Sequence, residues 1–386
     1  MSEAYIVAAA RTAGGRRKGA LSTVHPADLG AVVLDELIRR AGVEGDLVED
    51  VIVGCVTQGG EQSFAFGRNL VLASGLPESV PAVTIDRQCG SSQQALHFAA
   101  QAVMSGTQDV VIAAGTESMT RVPMGTNYSL HEQAGIGIGP FSEAIRRRYH
   151  TANFSQFIGA QMVADKYGLT REQMDEYAFR SHQRAIAAIQ SGAFDAEIAP
   201  VVTEQGEFRQ DEGVRFDASL EAMATVKPLV EGGSITAANA SQMTDGASGL
   251  LVVSAEAVRR YGLSPIARVH AMAVTAGDPV IMLDEPVPAT RRVLERSGMK
   301  LEDIDLFEVN EAFASVPMGW LKELGVDPDK VNVNGGGIAL GHPLGATGTK
   351  LMSTLIYALK ARGKRYGLQT MCEGGGIANA TIVEVL

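Results

Sequence analysis

Cys89 lies in the run Asp86-Arg-Gln-Cys-Gly-Ser-Ser-Gln-Gln, where a short β-branched stretch turns through small residues into an apolar helical segment. A sulfur so placed stands near a helix N-terminus, whose unpaired N–H groups and dipole favour a thiolate. A free thiol with a pKa of about 8.5 is only a few per cent ionised at neutral pH, so such help bears on nucleophilicity. A buried, inert cysteine is the other reading, and this residue alone leaves both open. His342 stands in Gly341-His-Pro-Leu-Gly-Ala-Thr-Gly, soon after Asn334-Gly-Gly-Gly. Fixed between Gly341 and Pro343, its imidazole can take a thiol's proton and later donate to an oxyanion. A core histidine satisfied by its neighbours would not need so many glycines. Cys372, in Met371-Cys-Glu-Gly-Gly-Gly, ends an apolar run. A second cysteine beside backbone N–H donors could shuttle a proton and hold developing charge. Asn310 opens Asn310-Glu-Ala-Phe-Ala just after Leu306–Val309. It could orient a water from the end of a parallel strand, or simply cap a helix.

Elements that must position these groups alternate along the chain. Strands are predicted at Tyr5–Ala9, Val51–Val56, Ala82–Ile85, Val110–Ala114, Gly249–Val253, Ala267–Val274, Leu306–Val309 and Gly367–Met371. Helices are predicted at Asp28–Ala41, Ser92–Ser105, Arg171–Ser191, Ala289–Ser297, Ala312–Leu324 and Gly348–Ala361. The alternation implies α/β layers. Ala95–Met104 and Leu351–Leu359 are apolar around most of their circumference, which predicts helices sandwiched between sheets. Val48-Glu-Asp-Val-Ile-Val-Gly-Cys resembles Leu301-Glu-Asp-Ile-Asp-Leu-Phe-Glu. The strand–Gly-rich turn–buried helix–strand order that begins at Val83-Thr-Ile-Asp recurs from Val331-Asn-Val-Asn. A duplicated unit explains both, although apolar strands also resemble one another by chance. Between the halves, residues 117–246 carry most charge clusters, including Arg146-Arg-Arg, and read as an insertion across the first half. Those arginines could meet a phosphate, but a solvated charge run is the simpler reading.

The chain has 386 residues, 46% hydrophobic, 20% charged and 5% aromatic, with 43 glycines, which fits closely packed layers. A formal charge of −11 argues against nucleic acid or an anionic membrane as the main partner. Three cysteines without a Cys-x-x-Cys pair suit a reducing compartment rather than a disulfide framework. No signal peptide or membrane span is legible, so a cytoplasmic location is expected.

Taken together, the four stretches around Cys89, Asn310, His342 and Cys372 resemble the thiolase family, in order and position. The likeness extends to Arg11-Thr-Ala and to Thr236–Gly246 and covers essentially the whole chain. It implies a five-layered α-β-α-β-α thiolase fold of two duplicated halves with an inserted loop domain. The N-terminal half would be 1–116 and 247–266, the CoA-binding loop domain 117–246, and the C-terminal half 267–386. It also implies reversible cleavage of a 3-ketoacyl-CoA by CoA to acetyl-CoA and a shortened acyl-CoA, or condensation of two acetyl-CoA. Carried over, Cys89 is the nucleophile, His342 its base and Cys372 the second acid/base, while Asn310 holds a water. Backbone N–H groups of Cys89 and Gly374 form an oxyanion hole. Arg215, Ala240, Ser241, Ala312 and Phe313 contact CoA. CoA is a substrate, and no cofactor or metal is expected. The partners implied are acyl-CoA, CoA and further copies of the chain, as a dimer or tetramer. Phe157-Ile158-Gly159, Ala222 and Val230 depart from short-chain biosynthetic thiolases. The Cys89 and Cys372 stretches look most like actinobacterial thiolases of lipid and sterol catabolism, which points to the degradative direction and fatty acid β-oxidation chemistry. A decarboxylating ketoacyl synthase would lack the second cysteine and the Gly-His-Pro run. A CoA- or lipid-binding paralogue would not need the nucleophile, base and second acid together.

Overall fold

The computed structural model describes residues 3–386. Its strands, in chain order, begin with β1 (Ala4–Arg11), β2 (Asp50–Gly54), β3 (Ala82–Ile85), β4 (Val110–Ser118) and β5 (Thr244–Ser254). They continue with β6 (Ala267–Ala276), β7 (Leu306–Val309), β8 (Tyr366–Glu373) and β9 (Ile377–Val385). The helices that matter for the site are α1 (Pro26–Ala41), α2 (Ser91–Ser105), α3 (Gln156–Lys166) and α4 (Arg171–Gln190). To these add α5 (Pro286–Ser297), α6 (Ser315–Leu324) and α7 (Thr347–Ala361).

Together with the short Gly15–Arg16 segment, the nine strands form one ten-stranded sheet in the order β7-β8-β9-β6-β1-β5-β4-β2-β3. The two halves mirror each other about the β1–β6 joint, where Tyr5 faces Arg268 and Ile6 faces Ala267. On one side β2 and β4 run parallel, and β4, β5 and β1 are successively antiparallel. On the other, β7 and β8 run parallel, and β8, β9 and β6 are successively antiparallel. This repetition is the duplication anticipated from the sequence.

Alternation along the strands sets the layers, because successive side chains leave a sheet on opposite faces. Val51, Val53, Ile112, Ala114, Leu251 and Val253 pack on one face with Leu29, Val33, Leu34 and Leu37 of α1. Ile52, Val111, Ala113, Leu250 and Val252 turn to the other face. There they meet Ala95, Leu96, Ala99 and Val103 of α2 and Met352, Leu355, Ile356 and Leu359 of α7. Beyond that paired helical layer lies the C-terminal half-sheet, whose outer face (Leu368, Ala380, Ile382) packs on Val293 and Leu294 of α5. The order is α1, sheet, α2 with α7, sheet, α5: five layers. α2 and α7 touch because Gly348 lacks a side chain; a Cβ there would lie 2.1 Å from the Gln93 nitrogen.

Three segments differ from expectation. Val331-Asn-Val-Asn makes isolated bridges, Val331 to Phe307 and Val333 to Gly335, instead of a strand. Asn332 spends its side chain on Val309, donating to the carbonyl at 2.8 Å and accepting from the N–H at 2.9 Å. The chain from Asn310 to Ala314 is not helical, since α6 starts at Ser315. Its backbone pairs instead with residues 239–241: Ser241 N–H donates to Ala312 at 2.9 Å and Ala314 N–H to Asn239 at 2.8 Å. The last strand, β9, was not anticipated. Ile377-Ala-Asn-Ala-Thr-Ile-Val alternates poorly because the strand is paired on both edges and buried on both faces.

Candidate active site

The turn between β3 and α2 presents Cys89 in a conformation the chain must be held in. Gln88, just before it, has φ +47°, unusual for a residue with a side chain. Asp86 Oδ1 accepts from the Gln88 N–H at 2.6 Å. Ser91 Oγ donates to the Gln88 carbonyl at 2.6 Å and accepts from the Arg87 N–H at 2.9 Å. The turn at the end of β8 interlocks with it. A methyl on Gly90 would lie 1.9 Å from Glu373 Oε1, and one on Gly374 would lie 2.7 Å from Gln88 Oε1. Cys89, Cys372 and Gly374 are thus brought together from opposite halves of the chain.

The expectation that the helix end sustains a Cys89 thiolate is corrected. Cys89 stands just outside the first turn of α2, for which Gly90 is the N-cap. Although the residue keeps some exposed surface, it packs against Val56, Met119 and Leu344. Burial first, and then the nearby Glu373 carboxyl, pushes its thiol up to about 12. Desolvation outweighs the backbone N–H contribution here, and the resting group is a thiol. Cys372 is buried, and its thiol is raised by burial and by the neighbouring Cys89 and Glu373. Glu373 is itself pushed well above the carboxylate range by burial, against the opposing pull of Arg87 and the Asn379 N–H. Three acids therefore share one dry pocket, which disfavours more than one charge at a time.

His342 is held in one tautomer by its neighbours. Its Nδ1 lies 2.5 Å from Thr347 Oγ1, whose own proton goes to the Pro343 carbonyl at 2.8 Å. The threonine oxygen must then accept, so the ring carries its proton on Nδ1 and leaves Nε2 with a free lone pair. Burial, with the charge of Lys350 added, lowers this histidine to about 3, so it rests as neutral imidazole. Asn310 Nδ2 lies 3.4 Å from His342 Nε2, and Asn310 Oδ1 is a buried acceptor without a partner among the described residues. Such an orphan oxygen is suited to a bound water. It is not a helix cap.

The loop bearing His342 is seated on the N-terminal half by a buried carboxylate that sequence reasoning missed. Glu117, at the end of β4, accepts from the Val56 and Gly345 N–H groups at 2.8 and 2.9 Å. It also accepts from Gln62 Nε2 at 3.0 Å. Gly345 is required by the fit, since a Cβ would lie 2.6 Å from Cys55 Cα and 2.7 Å from the Gly54 carbonyl. Glu311 docks α4 in the same manner, accepting from Ser181 Oγ at 2.7 Å and Asn332 Nδ2 at 3.0 Å.

A cleft of about 900 Å³ runs outward from His342 and Leu344. Its walls include Arg215, Ala240, Ser241, Ala312 and Phe313, with Ala240 bridged antiparallel to Phe313. Phe157, marked in the sequence as a departure from short-chain thiolases, also lines it, and so do Arg16, Arg17, Met119, Met124 and Met243, which were not anticipated. The Arg16-Arg17 pair near the start of the chain was the available signal. Cys372 shares a buried cluster with Ala240, Ala312 and Phe313, and Cys89 packs on the cluster of Val56, Met119 and Leu344; several of these neighbours line the inner cleft, though neither cysteine does. Arg146–Arg148 lie on an exposed short helix, with Arg146 paired to Glu143 at 3.3 Å, and do not line the cleft. Arg11 is buried and bonded to Glu197 at 2.5 Å and Asp211 at 2.9 Å, tying β1 to the inserted segment. Among the described residues, no helix is long and apolar enough to cross a membrane.

Two related half-sheets enclose a shared helical layer, and two cysteines and a histidine gather near the inner end of one long cleft, an arrangement suited to thiol chemistry. Comparison with known proteins makes the class specific. The thiolase N-terminal domain matches residues 4–256 and the thiolase C-terminal domain residues 263–385. The steroid 3-ketoacyl-CoA thiolase FadA6 of Mycobacterium tuberculosis is 53% identical, covering 100% of this chain and 95% of that protein. The 3-ketoacyl-CoA thiolase of Bacillus subtilis is 42% identical, with 100% of both chains covered. The crystal structure of the Bacillus anthracis acetyl-CoA acetyltransferase superposes with a TM-score of 0.91 at 38% identity, covering 100% and 99% of the two chains. The chain belongs to the thiolase family and has the thiolase fold.

Proposed function

We propose that this enzyme is a 3-ketoacyl-CoA thiolase working in the degradative direction on bulky, ring-bearing acyl chains. The observations that support the reaction are the interlocking of the Cys89 and Cys372 turns, the approach of Asn310 to His342, and the position of His342 at the inner end of one cleft. The acyl class is supported by the 53% identity to a relative named for steroid 3-ketoacyl-CoA substrates.

His342 Nε2 takes the proton of Cys89 as the sulfur attacks the C3 ketone. The C2–C3 bond breaks, the acyl group stays on Cys89, and acetyl-CoA leaves as an enolate protonated by Cys372. The Cys372 thiolate then deprotonates incoming CoA. The CoA sulfur attacks the acyl group, and Cys89 leaves, recovering its proton from His342. Negative charge develops on two different oxygens, so two donor sets serve it. A water held by Asn310, with His342, faces the enolate, and the Cys89 and Gly374 N–H groups face the acyl oxygen. Arg215, Ala240, Ser241, Ala312 and Phe313 hold CoA, and residues 117–246 act as the domain that carries it. No metal or prosthetic group takes part, so exhaustive chelation should leave turnover intact.

The chain works as a homo-oligomer, dimer or tetramer, in the cytoplasm. Supporting this, the outer strand β3 is unpaired on one edge, and Val83, Leu72 and Phe64 are 46%, 57% and 91% exposed around it. Light scattering that returned a monomer would refute the assembly. The decisive assay is thiolysis of 3-ketoacyl-CoA esters from four carbons up to ring-bearing chains. A higher kcat/KM for the ring-bearing esters is expected, and a preference for the four-carbon ester would overturn the acyl class. Absence of thiolysis with every ester would overturn the function.

A further inference from the structure

We propose that Lys350 is a positioning residue for His342, its ammonium group pinning the peptide unit that carries the imidazole. Lys350 lies in the first turn of α7 and is only 4% exposed. A core position on a buried helix asks only for an apolar side chain, and a buried ammonium is costly unless it is fully bonded. Here it is bonded to the backbone just before His342. Nζ donates to the Leu340 carbonyl at 2.7 Å and to the Gly341 carbonyl at 2.8 Å.

The second of those carbonyls belongs to the peptide between Gly341 and His342. The other end of the same peptide, the His342 N–H, is held by the Gln242 carbonyl and by Thr244 Oγ1, each at 3.1 Å. Both poles of that plane are fixed, and Lys350 fixes one of them alone. The turn needs the restraint. Gly341 has φ 79° and ψ 161°, a region essentially confined to glycine, where the backbone has no side chain to hold it. A Cβ on Gly341 would lie 2.1 Å from Thr244 Oγ1. Rotation of the plane would swing the ring off Thr347 and Asn310.

Charge adds a second action. The groups acting on Lys350 are Asp211, Arg11 of β1, Glu197 and Glu308 of β7, with Asp211 and Glu197 already paired to Arg11. Burial holds the amine down to about 8, against the pull of Asp211, so the ammonium form predominates at neutral pH. Next to burial itself, this cation is what disfavours a charged His342. Lys350 thus keeps the imidazole both aimed and unprotonated before Cys89 gives up its proton.

This rests on the reading of His342 as the base. The test is steady-state thiolysis of a 3-ketoacyl-CoA by wild type, Lys350→Met, Lys350→Gln and Lys350→Arg, with pH profiles of kcat/KM and melting curves. Loss of aim by about 1 Å costs on the order of a hundredfold, so Lys350→Met should lose about that in kcat while KM stays within about threefold. Lys350→Arg, which keeps charge and donors, should recover most of kcat. In Lys350→Gln, which keeps a donor but no charge, the acid limb of the profile should move to higher pH. Should Lys350→Met fail to fold, the Lys350→Gln profile decides. An unmoved acid limb, or kcat within twofold of wild type in a folded Lys350→Met, would overturn the proposal. Absence of thiolysis in wild type would instead sink the functional reading beneath it.

Discussion

Replacing Thr347 by valine tests the orientation of the base with almost no change of shape. Thr347 is fully buried, and its hydroxyl does two things at once: it accepts from His342 Nδ1 at 2.5 Å and donates to the Pro343 carbonyl at 2.8 Å. Valine fills the same volume and removes both. A buried N–H left without a partner costs about 1–3 kcal/mol. The ring escapes that cost by moving its proton to Nε2, the nitrogen that must be bare to receive the Cys89 proton. The penalty therefore appears in the fraction of competent enzyme. At about 1.4 kcal/mol per factor of ten, kcat for thiolysis should fall roughly 5- to 150-fold in Thr347→Val. Thr347 is absent from the cleft lining, so KM should stay put. Thr347→Ser, which restores the hydroxyl, should recover most of kcat. A folded Thr347→Val with kcat within twofold of wild type would refute the tautomer reasoning, because the free Nε2 lone pair rests on that one hydroxyl.

Three further outcomes are expected. Because Cys89 is pushed up to about 12 and rests as a thiol, its thiolate fraction should climb about tenfold per pH unit between pH 7 and 10. Iodoacetamide alkylation of Cys89, followed by mass spectrometry, should follow that slope, and a plateau below pH 9 would show a lower pKa. Gly345→Ala would drive a methyl to 2.6 Å from Cys55 Cα and 2.7 Å from the Gly54 carbonyl, both backbone atoms that cannot yield. We expect a loss of about 2–3 kcal/mol in denaturant titration, with activity lost in parallel, and unchanged stability would disprove the close seating of the His342 loop. Arg215 lines the outer cleft on an exposed position, so Arg215→Ala should raise KM for CoA only about threefold and leave kcat unchanged. A fall in kcat would mean that this arginine acts nearer the chemistry.

How much of this was readable in the chain depends on whether a residue's role is local. Strand alternation and the two apolar helices are local patterns, so the layered order and the duplication were legible before any coordinates. Cys89, His342 and Cys372 were marked by glycine-rich turns, and those turns do meet. What escaped were residues whose partners lie far along the chain. Glu117 reads as an ordinary acid at the end of a strand, yet its hydrogen-bond donors come from residues 55, 56, 57, 62 and 345. Lys350 reads as a polar break in an apolar helix. The pKa of Cys89 was misjudged for the same reason. The helix end is visible in sequence, but the burial and the Glu373 carboxyl that overrule it come from residues distant in the chain.

The duplication accounts for why two sulfurs and an imidazole can share a pocket that neither half could build. Each half sends a turn and a buried helix toward the middle layer: strand β3 leads through Cys89 into α2, and the 331–334 segment, which is not a strand, leads through His342 into α7. α2 and α7 touch at their N-terminal turns, where the Thr349 N–H donates to Ser92 Oγ at 3.0 Å, so the Cys89 and His342 turns converge. The parallel strands β7 and β8 then end beside them, delivering Asn310 and Cys372 from their carboxyl ends. The glycines at 54, 115, 345 and 348 allow the turns to stack at backbone distance, with the nearest projected Cβ contacts between 2.1 and 2.6 Å. Chemistry is thus placed where the halves touch, which makes each glycine at that seam as consequential for turnover as the groups that handle protons. Gly345→Ala should disable the enzyme although it removes no functional atom.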